Sequence, residues 1–133
     1  MAHGNDIAEA ALHYEQNHGG KHITYGTGPG QLVCNQFVVA VLRAVDPSFP
    51  YVLANDFYDT GYFTKIEGAH ATPQRGDLVH WHNHIGIVLN GDTGEFIGSQ
   101  TSTVVAVANF KHGYWHGEFG GKTPDYFLRW SHP

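Results

Sequence analysis

The stretch GDLVHWHNHIGIVL spans residues 76–89 and contains two apolar runs that meet at a short polar pair. The runs cover residues 78–81 and 84–89, and His82-Asn83 lies between them. Short runs rich in Val and Ile that are separated by two polar residues are typical of a β-hairpin with a tight turn. The sequence therefore predicts two antiparallel strands here.

Further strands are predicted on the C-terminal side of this hairpin. Residues 90–94 contain Asn, Asp and two glycines and predict a turn. Apolar runs at 95–100, 104–108 and 126–130 have the length and composition of strands. The second half of the chain is therefore predicted to form an antiparallel meander.

Two helices are predicted before the sheet. Residues 5–16 and the segment that begins at Cys34 both place apolar side chains three and four positions apart. Asp46-Pro47 ends the second helix, whose β-branched residues require burial for stability. Residues 55–63 are less regular and predict a short helix. Helices followed by an antiparallel meander indicate an α+β fold.

Length and charge limit the class of protein. A chain of 133 residues with 41% hydrophobic residues fits a single domain with one core, residues 1–133. The net charge is −5 and the seven basic residues form no cluster, which argues against nucleic acid or an anionic membrane as a partner. No stretch is apolar enough to span a bilayer.

The N-terminus lacks the apolar run of a signal peptide. We therefore expect a protein that is made in the cytoplasm and either works there or leaves without a cleaved signal. A third alternative is that the chain begins after a removed segment.

Cys34 is the single cysteine, so neither an intramolecular disulfide nor a thiolate zinc cage can form within the chain. It lies where a glycine-rich loop becomes a helix. The first turn of a helix presents free N–H groups and the positive end of the helix dipole, which favour a thiolate and can stabilise an oxyanion. The alternative is a Cys that packs beneath the helix as a small apolar residue.

A nucleophilic Cys needs a base, and His84 begins the second strand of the hairpin. On one continuous strand His80, His82 and His84 would share a face and could chelate zinc. The predicted hairpin instead sets His84 opposite Trp81 and His80 opposite Ile85, so that His80 and His84 point to opposite sides. We therefore predict neither a metal nor another cofactor.

Three segments together resemble the NlpC/p60 family of papain-like cell-wall peptidases: LVCNQFVVAVL (32–42), GDLVHWHNHIGIVL (76–89) and EFIGSQTSTVVAVANF (95–110). In that family a Cys opens a helix within D-C-S-G-F, a G-D-L turn precedes a hairpin that carries the His of H-[VI]-G-[IV], and a third polar residue follows on the next strand. The resemblance implies a papain-like α+β fold with N-terminal helices packed on the meander. It also implies Cys34 as nucleophile and His84 as base.

The chain departs from the family pattern around both motifs. Val33 stands where the family has Asp, and Asn35-Gln36 replaces Ser-Gly. Gly98 occupies the position of the third polar residue and has no side chain. Gln100 lies two residues further on the same side of the strand and is the candidate that orients the imidazole, with Ser99 as the alternative. Gln100 could instead be a polar residue that faces solvent.

Two more residues are candidates for contact with the substrate or its oxyanion. Tyr25 with Gly26 matches the tyrosine that precedes the Cys loop in the family, and its hydroxyl could reach the oxyanion. An aromatic residue packed on the core is the alternative for Tyr25. Asn35 occupies a position that the family uses to recognise polar groups of the substrate.

The function implied by the resemblance is hydrolysis of an amide bond in the stem peptides of peptidoglycan, through an acyl-enzyme on Cys34. A secreted antibacterial effector or a phage lysin would act on the cell wall outside the cytoplasm, and an inhibitory immunity protein is a candidate partner. Two alternatives are a module of the same fold that only binds, and a thiol-dependent acyltransferase. Lipid acyltransferases of related fold place His before Cys, whereas this chain has the opposite order.

Overall fold

A computed structural model of the protein describes residues 2–16, 33–67, 72–99, 105–111 and 124–132. The described helices are α1 (Ala2–Gln16) and α2 (Cys34–Val45), followed by two short 3-10 turns, Ala54–Asp56 and Tyr58–Thr60. The described strands are β1 (Phe63–Ile66), β2 (Leu78–Trp81), β3 (His84–Asn90), β4 (Glu95–Ser99), β5 (Val105–Asn109) and β6 (Tyr126–Trp130).

The six strands form one sheet in the order β1-β6-β2-β3-β4-β5. Every neighbouring pair of these strands is antiparallel. Strands β2 to β5 form the predicted meander, and β6 returns to the other side of β2. Both helices contact the sheet, chiefly at β3. The α+β prediction is confirmed.

Helix α2 packs against both α1 and the sheet. Its side chains Phe37, Val38 and Leu42 have no solvent exposure and belong to a core cluster with Ile7 of α1 and Ile87 of β3. Each fully buried apolar side chain of this size contributes about 1.5–3 kcal/mol. Burial therefore offsets the weak helix propensity of the β-branched residues, as the sequence predicted.

The β2–β3 hairpin has the predicted register. Trp81 pairs with His84, and His80 pairs with Ile85. Asn83 in the two-residue turn has a φ of 67°, a left-handed conformation that Asn adopts more readily than most side chains. His80 and His84 therefore lie on opposite sides of the sheet.

Strand β1 differs from the sequence-based prediction, which expected a short helix over residues 55–63. The structure has 3-10 turns up to Thr60 and then a strand from Phe63. Phe63 pairs with Trp130, so β1 is a strand because of a partner near the other end of the chain. Helix α1 also begins earlier than predicted, at Ala2 rather than Asn5.

The Gly-Asp pair before β2 has a structural role. The buried carboxylate of Asp77 accepts hydrogen bonds from Arg129 Nε at 3.0 Å and Nη2 at 2.8 Å, and from the Gln74 N–H at 2.7 Å. The hydrogen bond to Asp77 is the main reason that the pKa of Arg129 is raised. The Asp77–Arg129 ion pair ties β6 to the start of β2.

Candidate active site

Cys34 is the first residue of α2 and is only 6% exposed. Val33 before it has an extended backbone with φ −80° and ψ 169° and supplies no capping side chain. The side chain of Gln36 supplies the other half of a capping box, because its Oε1 accepts the Val33 N–H at 3.0 Å. A residue that departs from the family pattern thus fixes the start of the helix at Cys34.

The Cys34 sulfur lies against the first residues of β3. Its Sγ atom is 3.9 Å from the carbonyl oxygen of Asn83, and the backbone N–H of Ile85 forms a hydrogen bond with the sulfur. These two backbone groups belong to the residues on either side of His84. The structure therefore brings the thiol to the backbone of the predicted base.

The contact with Ile85 occurs where the β3–β4 ladder ends. Val88 bonds to Asp77 and Gly76 on the β2 side through its N–H and carbonyl, each at 2.8 Å. Because backbone groups alternate along a strand, the Ile85 N–H faces the β4 side. Pairing with β4 stops at Ile87↔Ile97, so this N–H is directed at the sulfur beyond the last paired residues.

The thiol experiences opposing influences on its pKa. Burial raises the pKa of Cys34, whereas hydrogen bonds from the backbone N–H groups of Ile85, Asn35 and Cys34 itself lower it. Burial is the largest of these, so the net pKa lies above the ordinary value. The sequence-based expectation that the helix N-terminus would favour the thiolate is reversed by burial. The thiol is protonated at neutral pH and needs a base.

His84 has no solvent exposure and lies beside Trp81, with ring centroids 5.6 Å apart. The two residues are paired across the hairpin and share the side of the sheet opposite Ile85. The role of His84 as base stays a prediction.

Asn35 is buried, and its side chain is already engaged. Its Nδ2 donates to the Tyr51 hydroxyl at 3.0 Å and to the Val52 carbonyl at 2.9 Å, which ties α2 to the segment before the first 3-10 turn. Its backbone N–H is the group directed at the Cys34 sulfur. An oxyanion role for Asn35 therefore rests on the main chain rather than on the amide side chain.

The candidates for the third catalytic residue lie at the end of β4. Ser99 is fully buried and is the last described residue of that strand. Gln100 and Tyr25 lie outside the described residues.

His80 is buried on the side of the hairpin opposite His84. Its Nε2 is 3.1 Å from Asn55 Oδ1, its Nδ1 is 3.5 Å from Asp125 Oδ2, and its ring stacks on Tyr126 at 4.4 Å. In the described part of the chain, no three His, Cys, Asp or Glu side chains group as a metal site would require. The sequence-based analysis did not single out Asn55, because no local pattern connects residue 55 with the hairpin.

Comparison with known proteins places the fold in a family. The model of the NlpC/P60 family matches residues 17–123. The crystal structure of the NlpC/p60 domain of the peptidoglycan hydrolase SagA is 22% identical and has a TM-score of 0.65, with 95% of this chain and 97% of that chain covered. That likeness shows a shared fold. A search of curated proteins finds no match to this chain.

Helices that could cross a membrane are not found among the residues that the structure describes. The family match covers most of the chain, includes Cys34 and the β2–β3 hairpin, and agrees with the observed α+β architecture. The chain therefore belongs to the NlpC/P60 family.

Proposed function

We propose that the protein is a cysteine peptidase or amidase that hydrolyses an amide bond in the stem peptides of peptidoglycan. The observation that carries this proposal is the contact of the Cys34 sulfur with the backbone on both sides of His84. Membership of the NlpC/P60 family supports it, as does the fold shared with a domain of a peptidoglycan hydrolase.

The reaction begins with a neutral thiol. His84 accepts the proton of Cys34 as the sulfur attacks the amide carbonyl, and the protonated imidazole then gives this proton to the leaving amine. The C–N bond breaks and a thioester forms on Cys34. Water, deprotonated by His84, then hydrolyses the thioester, which releases a carboxylate and restores the thiol.

The helix N-terminus is placed to stabilise the oxyanion. The backbone N–H groups of Cys34 and Asn35 lie at the sulfur, where the carbonyl carbon of a bound substrate would be attacked. Ser99 or Gln100 at the end of β4 would orient the His84 ring, and Tyr25 would approach from the segment before α2. These roles follow the family pattern.

An aromatic and apolar rim beside the site would hold the substrate. Tyr51, Leu53 and Tyr58 expose 53%, 59% and 43% of their surface, respectively. Asn35 connects Tyr51 directly to the first turn of α2 through a 3.0 Å hydrogen bond. The substrate would lie in the cell wall, outside the cytoplasm, and an inhibitory immunity protein remains a candidate partner of this rim.

The test compares wild type with Cys34→Ala on purified peptidoglycan. We expect wild type to release soluble fragments that carry new amino groups, and Cys34→Ala to release none above background. Val39→Ala is the matched control, because Val39 is a buried residue of the same helix, 3% exposed, outside the site. Equal release by wild type and Cys34→Ala would refute the proposal.

A second function has support from the thiol itself. Because burial raises the pKa of Cys34, a module that binds peptidoglycan without cutting it is the main alternative. Such a module would sediment with peptidoglycan equally well as wild type and as Cys34→Ala, and neither would release fragments. An acyltransferase would instead give a product that carries an added amine acceptor.

A further inference from the structure

Asn55 holds the hairpin turn that contacts the thiol. It is the middle residue of the 3-10 turn Ala54–Asp56. Its Oδ1 accepts the backbone N–H of Asn83 at 2.8 Å, and its Nδ2 donates to Asn83 Oδ1 at 2.7 Å. Two hydrogen bonds thus connect residues that are 28 positions apart in the chain.

The turn at Asn83 needs such support. Its φ of 67° is in the left-handed region, which costs free energy for any residue with a Cβ. The carbonyl of Asn83 is the group 3.9 Å from the Cys34 sulfur, and the next residue is His84. The orientation of Asn83 therefore affects how the start of β3, with His84, lies against the Cys34 sulfur.

His80 supports Asn55 from behind. Its Nε2 is 3.1 Å from Asn55 Oδ1, which already accepts the N–H of Asn83. Because this atom is an acceptor, the His80 nitrogen that faces it carries the proton. His80 is 4% exposed, stacks on Tyr126, and has Asp125 at its other nitrogen. The contacts run from His80 through Asn55 and Asn83 to Cys34.

We propose that Asn55 is a positioning residue, which holds the Asn83–His84 turn against Cys34 with His80 as its support. It acts through Asn83 and does not contact the reacting atoms. Its effect on turnover rests on the proposed function, whereas its effect on the reactivity of the thiol does not.

The first measurement uses Asn55→Ala. Without the two hydrogen bonds the turn relaxes, and the Asn83 carbonyl, His84 and the Ile85 N–H move relative to the sulfur. We expect kcat for peptidoglycan cleavage to fall by about tenfold or more with KM nearly unchanged, because small displacements of reacting groups cost this much. The rate of Cys34 alkylation by iodoacetamide at a fixed, mildly alkaline pH should also fall, since the Ile85 N–H no longer stabilises the thiolate.

Asn90→Ala is the matched control. Asn90 Oδ1 also holds a turn of β3, at the opposite end, by accepting the N–H groups of Asp92 at 2.9 Å and Thr93 at 3.1 Å. We expect the melting temperature of Asn90→Ala to fall about as much as that of Asn55→Ala. Its rate of Cys34 alkylation should equal that of wild type.

The outcomes distinguish a positioning role of Asn55 from a purely structural one. If Asn55→Ala loses stability but retains the kcat and alkylation rate of Asn90→Ala, Asn55 is only structural and the inference is wrong. If Asn55→Ala does not fold, Asn55→Ser keeps a polar side chain that is too short to make either hydrogen bond to Asn83, and its unchanged alkylation would equally refute the inference. If wild type releases no fragments, the proposed function fails, and the alkylation comparison still decides the role of Asn55.

Discussion

Cys34 combines a helix N-terminus with near-complete burial, and the two act against each other. Three backbone N–H groups favour its thiolate, but loss of water outweighs them. The sulfur resembles a buried structural cysteine in its solvent exposure and a nucleophile in the groups that surround it. Under the proposed mechanism, its reactivity depends on His84 as the base that takes the proton.

The raised pKa predicts the pH dependence of alkylation. Below its pKa the thiol is protonated and unreactive, so the rate of iodoacetamide modification should rise with a midpoint above the ordinary value of about 8.5–9. The measurement is the pseudo-first-order rate across pH, followed by mass spectrometry at Cys34. A midpoint below the ordinary value would indicate a preformed ion pair with His84 and contradict the net effect of burial.

The lowered pKa of His80 predicts that the protein loses stability in acid. Burial is the main cause that lowers its pKa; His82 and Lys65 act in the same direction, and Asp125 opposes them. The folded state therefore binds the proton less tightly than the unfolded chain does. The resulting stabilisation is present above the unfolded pKa of about 6.5 and is lost as the pH falls through the lower folded value.

The measurement is the free energy of unfolding in urea at neutral and mildly acidic pH. His80→Gln, which keeps an N–H for Asn55, should lose less stability on acidification than wild type. His13→Gln on the exposed side of α1 is the control and should follow wild type. An equal loss in wild type and His80→Gln would show that His80 does not cause the acid sensitivity.

At the scale of the element, Gly86 explains why β3 packs so closely on its neighbour. A Cβ at this position would lie 2.7 Å from Phe96 Cδ2 and 3.2 Å from the carbonyl oxygen of Ile97. The ring of Phe96 occupies the space above the glycine, two residues from His84. Close packing against Phe96 thus explains why the His-Ile-Gly motif has a glycine at this position.

Gly86→Ala should therefore destabilise the protein. Phe96 is fully buried and the Ile97 carbonyl belongs to the sheet, so neither can yield without disturbing the packing. We expect a loss of about 1–3 kcal/mol in the free energy of unfolding, measured in urea. Val107→Ala on β5, at a position that is 49% exposed, should change it by less than about 0.5 kcal/mol. A neutral Gly86→Ala would mean that Phe96 has room to move.

On the scale of the whole molecule, β6 joins β1 to β2 and supports the hairpin from the C-terminal part of the chain. Arg129 fastens this strand to Asp77 at the start of β2, and Asp125 before the strand reaches His80. Residues near the C-terminus thereby support a turn in the middle of the chain. The Asp of the Gly-Asp-Leu motif therefore holds β6 against the start of β2.

Asp77→Ala should remove this fastening. It leaves the Arg129 guanidinium, 34% exposed, without its carboxylate partner, so we expect a loss of about 2–4 kcal/mol in the free energy of unfolding. Glu9→Ala breaks the Arg75–Glu9 ion pair at 3.3 Å, whose side chains are 36% and 65% exposed, and should cost less than about 1 kcal/mol. Equal losses for the two variants would contradict the importance of the buried pair.

The family motifs and several elements could be predicted from the sequence because their signals are local. The β2–β3 register follows from two apolar runs and a polar pair, and α2 follows from its apolar period between Cys34 and Pro47. The prediction failed at β1, because four residues at the edge of a sheet carry too weak a pattern without their partner β6. Ser99 and Gln100 stay the two predicted candidates for the residue that orients His84.

By itself the sequence determined which residues could react, since Cys34 and His84 are marked by motifs that neighbours along the chain create. The tertiary structure alone decided the protonation of the thiol and the support of the turn. Burial depends on everything that packs around the sulfur, and the contacts from Cys34 to Asn83 and from Asn83 to Asn55 span 49 and 28 positions, respectively. A pattern within a short window of sequence cannot reveal contacts between residues so far apart in the chain.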